Sequence, residues 1–230
     1  AGDQNNDPLT YTWDLGDGRT VNGANPTFSY PVAGQYKVRL TINDTHTTLS
    51  WPPITINVGA LPTVELVSPD ISQPVSAGAT VNYQIDAKEA DGTVIADDKV
   101  KTSVKFHHNV HAHDFVTNQA GKTGSITIPT NIETDLDIWL RFYITVTDRN
   151  GATTTIERDL QYNQATLKLQ SVPLGAAITV DGTAATNDDG FVGVSGIVRT
   201  LEAPETFTSN GTGYRFSSWS DGNTNRSRTL

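Results

Sequence analysis

Apolar and polar residues alternate along this chain in short runs that Gly, Pro, Asn and Asp separate. An alternation of period two is typical of half-buried β-strands, and no stretch keeps the apolar spacing of a helix over three turns. The pattern therefore predicts an all-β fold. The clearest predicted strands lie at residues 9–13, 36–42, 64–69, 77–85, 100–106, 140–148 and 153–160.

Turn-rich stretches divide these strands into three segments. A Gly-Ala-Leu-Pro linker at 59–62 separates residues 1–60 from residues 61–163, and a third segment, residues 164–230, follows. Residues 61–163 show the strand and turn spacing of an Ig-like β-sandwich. In the third segment a strand, a Trp and an Asp-Gly turn predict a small β-domain with Phe216 and Trp219 in its core. We expect tandem Ig-like sandwich modules followed by this small C-terminal β-domain.

Composition narrows the classes of partner. The net charge of −9 argues against nucleic acid and anionic membranes, because phosphate groups would repel the chain. No apolar run approaches the roughly 20 residues that span a bilayer. Cysteine is absent, so disulfides and thiolate metal ligands are excluded. The polar start and the absence of Met predict that the sequence is a piece of a longer polypeptide.

Four of the five histidines fall within residues 107–113, which makes this stretch the main candidate for chemistry. In an extended segment residues i and i+2 face the same way, so His111 and His113 form a natural pair. His107 and His108 are adjacent and must diverge, and a bend near Asn109 favours His108 as the third member. The sequence therefore predicts a site made of His108, His111 and His113.

Three interpretations of this site stay open. The imidazoles can bind zinc or copper, with water or Asp114 in a fourth position. They can contact a carbohydrate directly, with Trp51 as a stacking platform, unless that Trp packs into the domain junction instead. They can also hydrogen-bond backbone carbonyls and order the loop, while Phe106 and Phe115 anchor it in the core.

Other motifs offer less chemistry. The acidic stretch 86–98 could supply oxygen ligands for calcium, but its spacing does not match an EF-hand, and a solvated turn is the favoured interpretation. The chain has no Gly-x-Ser-x-Gly, no phosphate-binding Gly loop and no His-Glu-x-x-His motif. We therefore predict that this piece is not itself an enzyme.

The first segment carries a family motif. Its Trp-Asp-Leu-Gly-Asp-Gly at 13–18, Asn-Pro-Thr-Phe-Ser-Tyr at 25–30 and the alternating run at 33–41 resemble a PKD domain. The resemblance implies a β-sandwich with Trp13 in its core and Gly16 and Gly18 at positive φ. It also implies a secreted, non-catalytic spacer or interaction module. Strand sequence expected ahead of residues 3–7 is missing, which predicts an N-terminally truncated and partly open sandwich.

The order of the segments resembles a second family. A PKD domain, then His-His-Asn-x-His-x-His-x-Phe at 107–115, Thr-Ile-Pro-Thr at 127–130, Trp139 and Phe-Ser-Ser-Trp-Ser-Asp-Gly at 216–222 is similar to the C-terminal accessory region of secreted bacterial sugar dehydrogenases of the glucose/sorbosone type. In those enzymes pyrroloquinoline quinone is bound by a β-propeller. No propeller repeat occurs in this sequence, so the resemblance implies that the quinone site lies outside it.

Together these observations predict a non-catalytic extracellular accessory module of a secreted or cell-surface bacterial sugar-oxidising enzyme. Its expected partners are a carbohydrate or cell-surface polymer, bound by His108, His111, His113 and Trp51, and the catalytic domain of the parent chain. The fragment needs no cofactor of its own in this interpretation. The alternatives are a zinc- or copper-binding domain, with calcium less favoured, and a purely structural spacer.

Overall fold

The computed structural model of the protein describes residues 7–185 and 190–230. The predicted all-β class is confirmed: the described residues contain antiparallel sheets and no α-helix, with one turn of 3₁₀ helix at Asp97–Lys99. Residues 1–6, where the predicted loss of PKD strand sequence falls, lie outside the described residues. No helix among the described residues has the length and apolar character needed to cross a bilayer.

The first domain contains one five-stranded sheet built around a long central strand. Strands β1 and β2 form a hairpin beside β3, and both β4 and β5 pair with the other edge of β3. β4 and β5 are separated by Pro52 and Pro53, which have no N–H to donate to a ladder. The strands are β1 Thr10–Asp14, β2 Thr20–Asn22, β3 Gly34–Asn43, β4 Thr48–Ser50 and β5 Ile54–Val58.

The turn after β1 has the geometry that its sequence predicts. Gly16 and Gly18 have φ of 76° and 86°, and the Asp14 carboxylate accepts the Gly16 N–H at 2.9 Å. A Cβ on Gly16 would lie 2.7 Å from the backbone N and O of Lys37, so this position requires glycine for space as well as for φ. Trp13, predicted as a core residue, is half-buried and donates its indole N–H to the Gly23 carbonyl at 3.0 Å.

The middle domain is a sandwich of two sheets. One sheet has the order β10-β7-β6 and the other has the order β12-β11-β8-β9, with β9 at its edge. Alternate residues of β7, β8 and β11 are buried between the sheets, including Tyr83, Val104 and Phe142. The strands are β6 Thr63–Ser68, β7 Thr80–Lys88, β8 Val100–His108, β9 His111–Ala120, β10 Thr123–Thr127, β11 Ile138–Thr147 and β12 Thr153–Gln161.

The described residues of the C-terminal segment form eight short strands around a small core. Ile178, Val180 and Leu201 are buried there, and Phe207 and Trp219 pack against them half-buried. Three small sheets pair as β13-β16, β15-β14-β17-β20 and β18-β19. The strands are β13 Gln164–Leu167, β14 Thr179–Val180, β15 Thr183–Ala184, β16 Phe191–Val194, β17 Thr200–Glu202, β18 Thr206–Ser209, β19 Thr212–Arg215 and β20 Ser227–Thr229.

The C-terminal segment also completes the core of the middle domain. Val194 and Ile197 belong to the buried cluster formed by residues 77–162. Between them, the Ser195 carbonyl accepts the Ala77 N–H at 2.9 Å. A Cβ on Gly196 would lie 2.2 Å from the Ala77 carbonyl oxygen, so the two backbones pass in direct contact. Residues 164–230 therefore pack onto residues 61–163 through shared apolar burial.

Candidate functional site

The predicted histidines lie at the tip of the β8–β9 hairpin. β8 ends at His108 and β9 begins at His111, so these two residues are direct cross-strand partners, and Phe106 is the partner of His113. A two-residue turn joins the strands, with Asn109 at φ 47°. Asn tolerates this left-handed conformation better than most residues, which explains the tight return at this point. The turn brings His108, His111 and His113 close together.

All three imidazoles lie on the inner face of the sheet. Val104 and Phe106 are buried against the opposite sheet, and His108 continues their alternation one step beyond the core. The cross-strand register places His111 and His113 on the same face as His108. Both are exposed because β9 is the edge strand. We call the side chains of His108, His111 and His113 the imidazole surface.

The planes of the three rings are nearly parallel. The centroids of His108 and His113 lie 5.1 Å apart with planes at 8°, and those of His108 and His111 lie 5.6 Å apart at 22°. The Phe106 ring lies 5.8 Å from that of His108 and joins the surface to the core. The result is a layer of aromatic rings that begins in the core and ends in solvent.

The closest polar contact of this surface joins the Nε2 atoms of His108 and His113, which are 3.0 Å apart. As a hydrogen bond this contact needs one ring to donate and the other to accept, so Nε2 carries a proton on one ring and not on the other. The same spacing fits two nitrogens bound to one ion, which lie about 3 to 4 Å apart when metal–nitrogen bonds are about 2.0–2.1 Å.

The structure does not assemble the rest of a metal site. No group of three or more His, Cys, Asp or Glu side chains in residues 7–185 and 190–230 is arranged to hold a metal ion. Asp114, considered above as a fourth ligand, lies on the outer face, where its carboxylate pairs with Lys105 at 3.2 Å. The zinc or copper site of His108, His111 and His113 therefore stays a prediction.

The acidic stretch 86–98 is paired with basic side chains. Asp86 pairs with Lys88, and Asp97 pairs with Lys122 at 3.1 Å. Asp91 pairs with Arg149 and also accepts the Thr93 N–H at 2.9 Å, and the hydrogen bond from Thr93 contributes most to lowering the pKa of Asp91 to about 2. These contacts are those of a charged turn, and the calcium interpretation stays a prediction.

His107 points to the outer face of the same sheet, away from the other three histidines. Its ring stacks on Trp139 with centroids 5.0 Å apart and planes at 16°. Burial against this indole, and then the positive charge of Arg141, lower the pKa of His107 below its ordinary value. Alternation along β8 predicted that His107 and His108 diverge. The pairing of His107 with Trp139 depends on the register between β8 and β11, which the sequence pattern does not give.

Trp51 lies in the first domain, between β4 and β5. Its backbone N–H donates to the Leu40 carbonyl at 3.1 Å, and its side chain is 47% exposed, which leaves indole surface free for a ligand. In the part of the chain that the structure describes, no hydrogen bond or ring contact joins Trp51 to the imidazole surface. The two predicted binding elements are therefore separate.

Sequence reasoning missed a cleft in the C-terminal domain. It has a volume of about 720 Å³, and its walls include Phe207, Phe216 and Trp219. The signal was present in the motif at 214–222, but we assigned its aromatic residues to the core alone. Trp219 does pack against the core, and one side of the same ring also lines the cleft.

Comparisons with known proteins identify part of the chain. A PKD domain model matches residues 1–50, so the first segment contains a PKD domain. Two curated relatives are named Pre-pro-metalloprotease PrtV, from Vibrio cholerae serotype O1 strains M66-2 and ATCC 39315 / El Tor Inaba N16961. Each is 43% identical over 44 residues, which is 19% of this chain and 5% of the relative's length. No solved structure gives a significant match.

Proposed function

We propose that this chain is a non-catalytic extracellular accessory segment that spaces a bacterial enzyme and holds it on carbohydrate or another surface polymer. The PKD domain in residues 1–50 carries this proposal, because it indicates an extracellular accessory or adhesion-type module. The all-β architecture of stacked domains supports the spacer role. The chain's net charge of −9 suits a neutral polymer better than a phosphate-rich one.

The carbohydrate part of the proposal rests on two surfaces. The imidazole surface presents exposed rings with donor and acceptor nitrogens, and Trp51 presents an exposed indole. The apolar face of a sugar ring stacks on such rings, while its hydroxyls bond to imidazole nitrogens. We assign His108, His111, His113 and Trp51 as the ligand-binding residues.

Affinity electrophoresis in gels that contain neutral glucans, mannans or xylans tests this assignment. Replacing His113 or Trp51 by Ala should weaken binding roughly fivefold, the effect of about 1 kcal/mol of lost stacking or hydrogen bonding. His46→Ala and Val32→Ala are controls, since both side chains are exposed and neither is next to the imidazole surface or Trp51 in sequence. If no polymer retards the chain, only the spacer role remains, and the histidine variants should then change stability alone.

A second candidate function is metal binding, which the 3.0 Å separation of the His108 and His113 Nε2 atoms favours. In that case zinc or copper at a concentration of 100 Kd would raise the free energy of unfolding of the middle domain by about 2.7 kcal/mol. Its unfolding temperature would rise accordingly. His113→Ala should abolish this shift, and His46→Ala should keep it. The proposal is refuted if elemental analysis of untagged protein finds no zinc or copper and neither metal changes the melting curve.

The class of the parent enzyme is a further part of the proposal. The motif order at 107–222 favours a quinone-dependent sugar dehydrogenase, whereas the curated relatives that share a short stretch are named as metalloproteases. Assays of the native full-length protein separate the two. Dye reduction with aldoses in the presence of pyrroloquinoline quinone supports the first class, and chelator-sensitive hydrolysis of casein supports the second.

A further inference from the structure

The C-terminal cleft has the dimensions of a ligand site. It opens between the chain segment 168–172 and the segment 215–220, with Phe207 of β18 at one wall. Its volume of about 720 Å³ lies within the roughly 300–1,000 Å³ that is usual for small-molecule sites. Val172, at its rim, is fully exposed to solvent.

The aromatic wall of the cleft is held in place from behind. The indole N–H of Trp219 donates to the Asn225 carbonyl at 2.7 Å, and the guanidinium of Arg228 lies 5.9 Å from the indole centroid. Neither Asn225 nor Arg228 lines the cleft. Phe216 meets Trp219 edge-on at 5.6 Å and 63°. These contacts fix the rings before a ligand arrives, which reduces the entropy lost on binding.

Polar groups with free hydrogen-bonding capacity also line the cleft. In residues 7–185 and 190–230, no side-chain hydrogen bond is made by the amide of Gln170 or by the hydroxyls of Ser217, Ser218 and Ser220, all of which line the cleft. Ser171 differs, because its hydroxyl already bonds the Pro173 carbonyl and the Ala176 N–H. Hydroxyls and carboxamides of this kind match the hydroxyl groups of a sugar.

The charge of the cleft is opposite to that of the chain. Lys168 and Arg215 line it, and among the residues that the structure describes no Asp or Glu does so. Arg215 pairs with Glu205 at 3.1 Å, but both side chains are largely exposed. Lys168 forms no ion pair within the described residues. On a chain with a net charge of −9, this is a local site that attracts an anion.

We propose that this cleft binds an acidic sugar unit, a uronate, of an extracellular polysaccharide. The sugar ring stacks on Trp219 and Phe216, its carboxylate pairs with Lys168, and its hydroxyls bond Gln170 and the serines that line the cleft. This inference rests on the carbohydrate-binding function proposed above, and it adds a second site with a different sugar chemistry. An acidic peptide offers the same charge but no ring of hydroxyls. The polar groups of the cleft that have free hydrogen-bonding capacity therefore favour the sugar.

An acidic oligosaccharide and its neutral methyl ester test the proposal. The 230-residue chain is titrated with oligogalacturonate and with its methyl ester of the same length. The acid should bind and the ester should bind at least tenfold more weakly, since the ester cannot form a charge-assisted hydrogen bond to Lys168. Equal binding of acid and ester, or equal binding of poly-glutamate, would overturn the assignment to a uronate.

A matched pair of lysine variants locates the site. Lys168→Gln should weaken oligogalacturonate binding roughly tenfold. Lys101→Gln removes the same charge from an exposed lysine of β8 and should leave binding unchanged. Because both side chains are exposed, we expect both variants to keep the wild-type melting curve. An equal loss of binding in the two variants would show attraction by overall charge alone and would contradict a built site.

Labelling with 5-fluorotryptophan separates this proposal from the function proposed above. The chain has four Trp residues, so its fluorine spectrum has four resonances, which Trp→Phe variants assign. Oligogalacturonate should shift the Trp219 resonance and leave that of Trp51 in place. A neutral glycan that shifts Trp51, with no response of Trp219 to the uronate, would refute the cleft and keep the general function. If neither resonance shifts with any glycan, both the cleft and the general carbohydrate-binding function are refuted.

Discussion

At the scale of single residues, the clearest stabilising polar contacts lie on the outer face of the middle domain. Arg141 on β11 donates from Nε and Nη2 to the two oxygens of Asp159, at 2.6 and 2.8 Å, and from Nη1 to Glu157 at 3.2 Å. This planar fork is the geometry that guanidinium provides and ammonium does not. The carboxylate of Asp159 raises the pKa of Arg141 above its already high value.

We predict that Arg141→Lys lowers the stability of the β11–β12 pair by about 1 kcal/mol, because one bond of the bidentate pair is lost. Amide hydrogen exchange of β11 measures this change. Arg158→Lys is the control, since Arg158 donates to the backbone carbonyl of Glu157 at 2.8 Å. Equal effects of the two substitutions would show that the fork geometry contributes nothing.

At the scale of elements, the β8–β9 hairpin decides whether the histidines form one surface. Alternation predicted which histidines share a strand face, but not that His108 and His113 lie diagonally across a two-residue turn. That pairing depends on Asn109, which adopts φ 47° and donates its side-chain amide to Asp135 at 2.7 Å. A sequence pattern gives the direction of side chains along one strand, whereas the partner strand sets the register.

We predict that Asn109→Ala weakens the hairpin by about 1 kcal/mol, because a residue with a Cβ is strained at positive φ. Asn109→Gly should cost less, since it keeps the conformation and loses only the bond to Asp135. Hydrogen exchange of the β9 amides reports both. The two variants would be equally destabilised if the hydrogen bond to Asp135, and not the backbone conformation, holds the turn.

At the scale of the whole molecule, the C-terminal segment and the middle domain share a core. Val194 and Ile197 pack among the buried residues of the sandwich, and Arg199 reaches back to the Thr134 carbonyl at 3.1 Å. The first domain touches the middle domain more lightly, through a contact of 3.4 Å between Gln35 and Thr153. Shared apolar burial couples the stability of two domains, and a part-buried polar contact couples it only weakly.

We predict that Ile197→Ala destabilises the middle domain by about 3 kcal/mol, although residue 197 lies outside that domain in sequence, because it leaves a cavity in the shared core. Val198→Ala, at a side chain that is 49% exposed, should change stability by less than about 0.5 kcal/mol. Urea unfolding followed at the Trp139 resonance of fluorotryptophan-labelled protein measures both. An unchanged middle domain in Ile197→Ala would mean that the two parts fold independently.

The sequence by itself determined the all-β class, the PKD domain, the positions of seven strands and the relative facing of the clustered histidines, because these follow from local periodicity and turn chemistry. The tertiary structure alone decided which strands pair, and so brought the His108 and His113 nitrogens to 3.0 Å and stacked His107 on Trp139. It also placed Ile197 in the core of another domain and opened a cleft beside Trp219. These features depend on contacts between residues distant in sequence, on which a local pattern of polar and apolar positions carries no information.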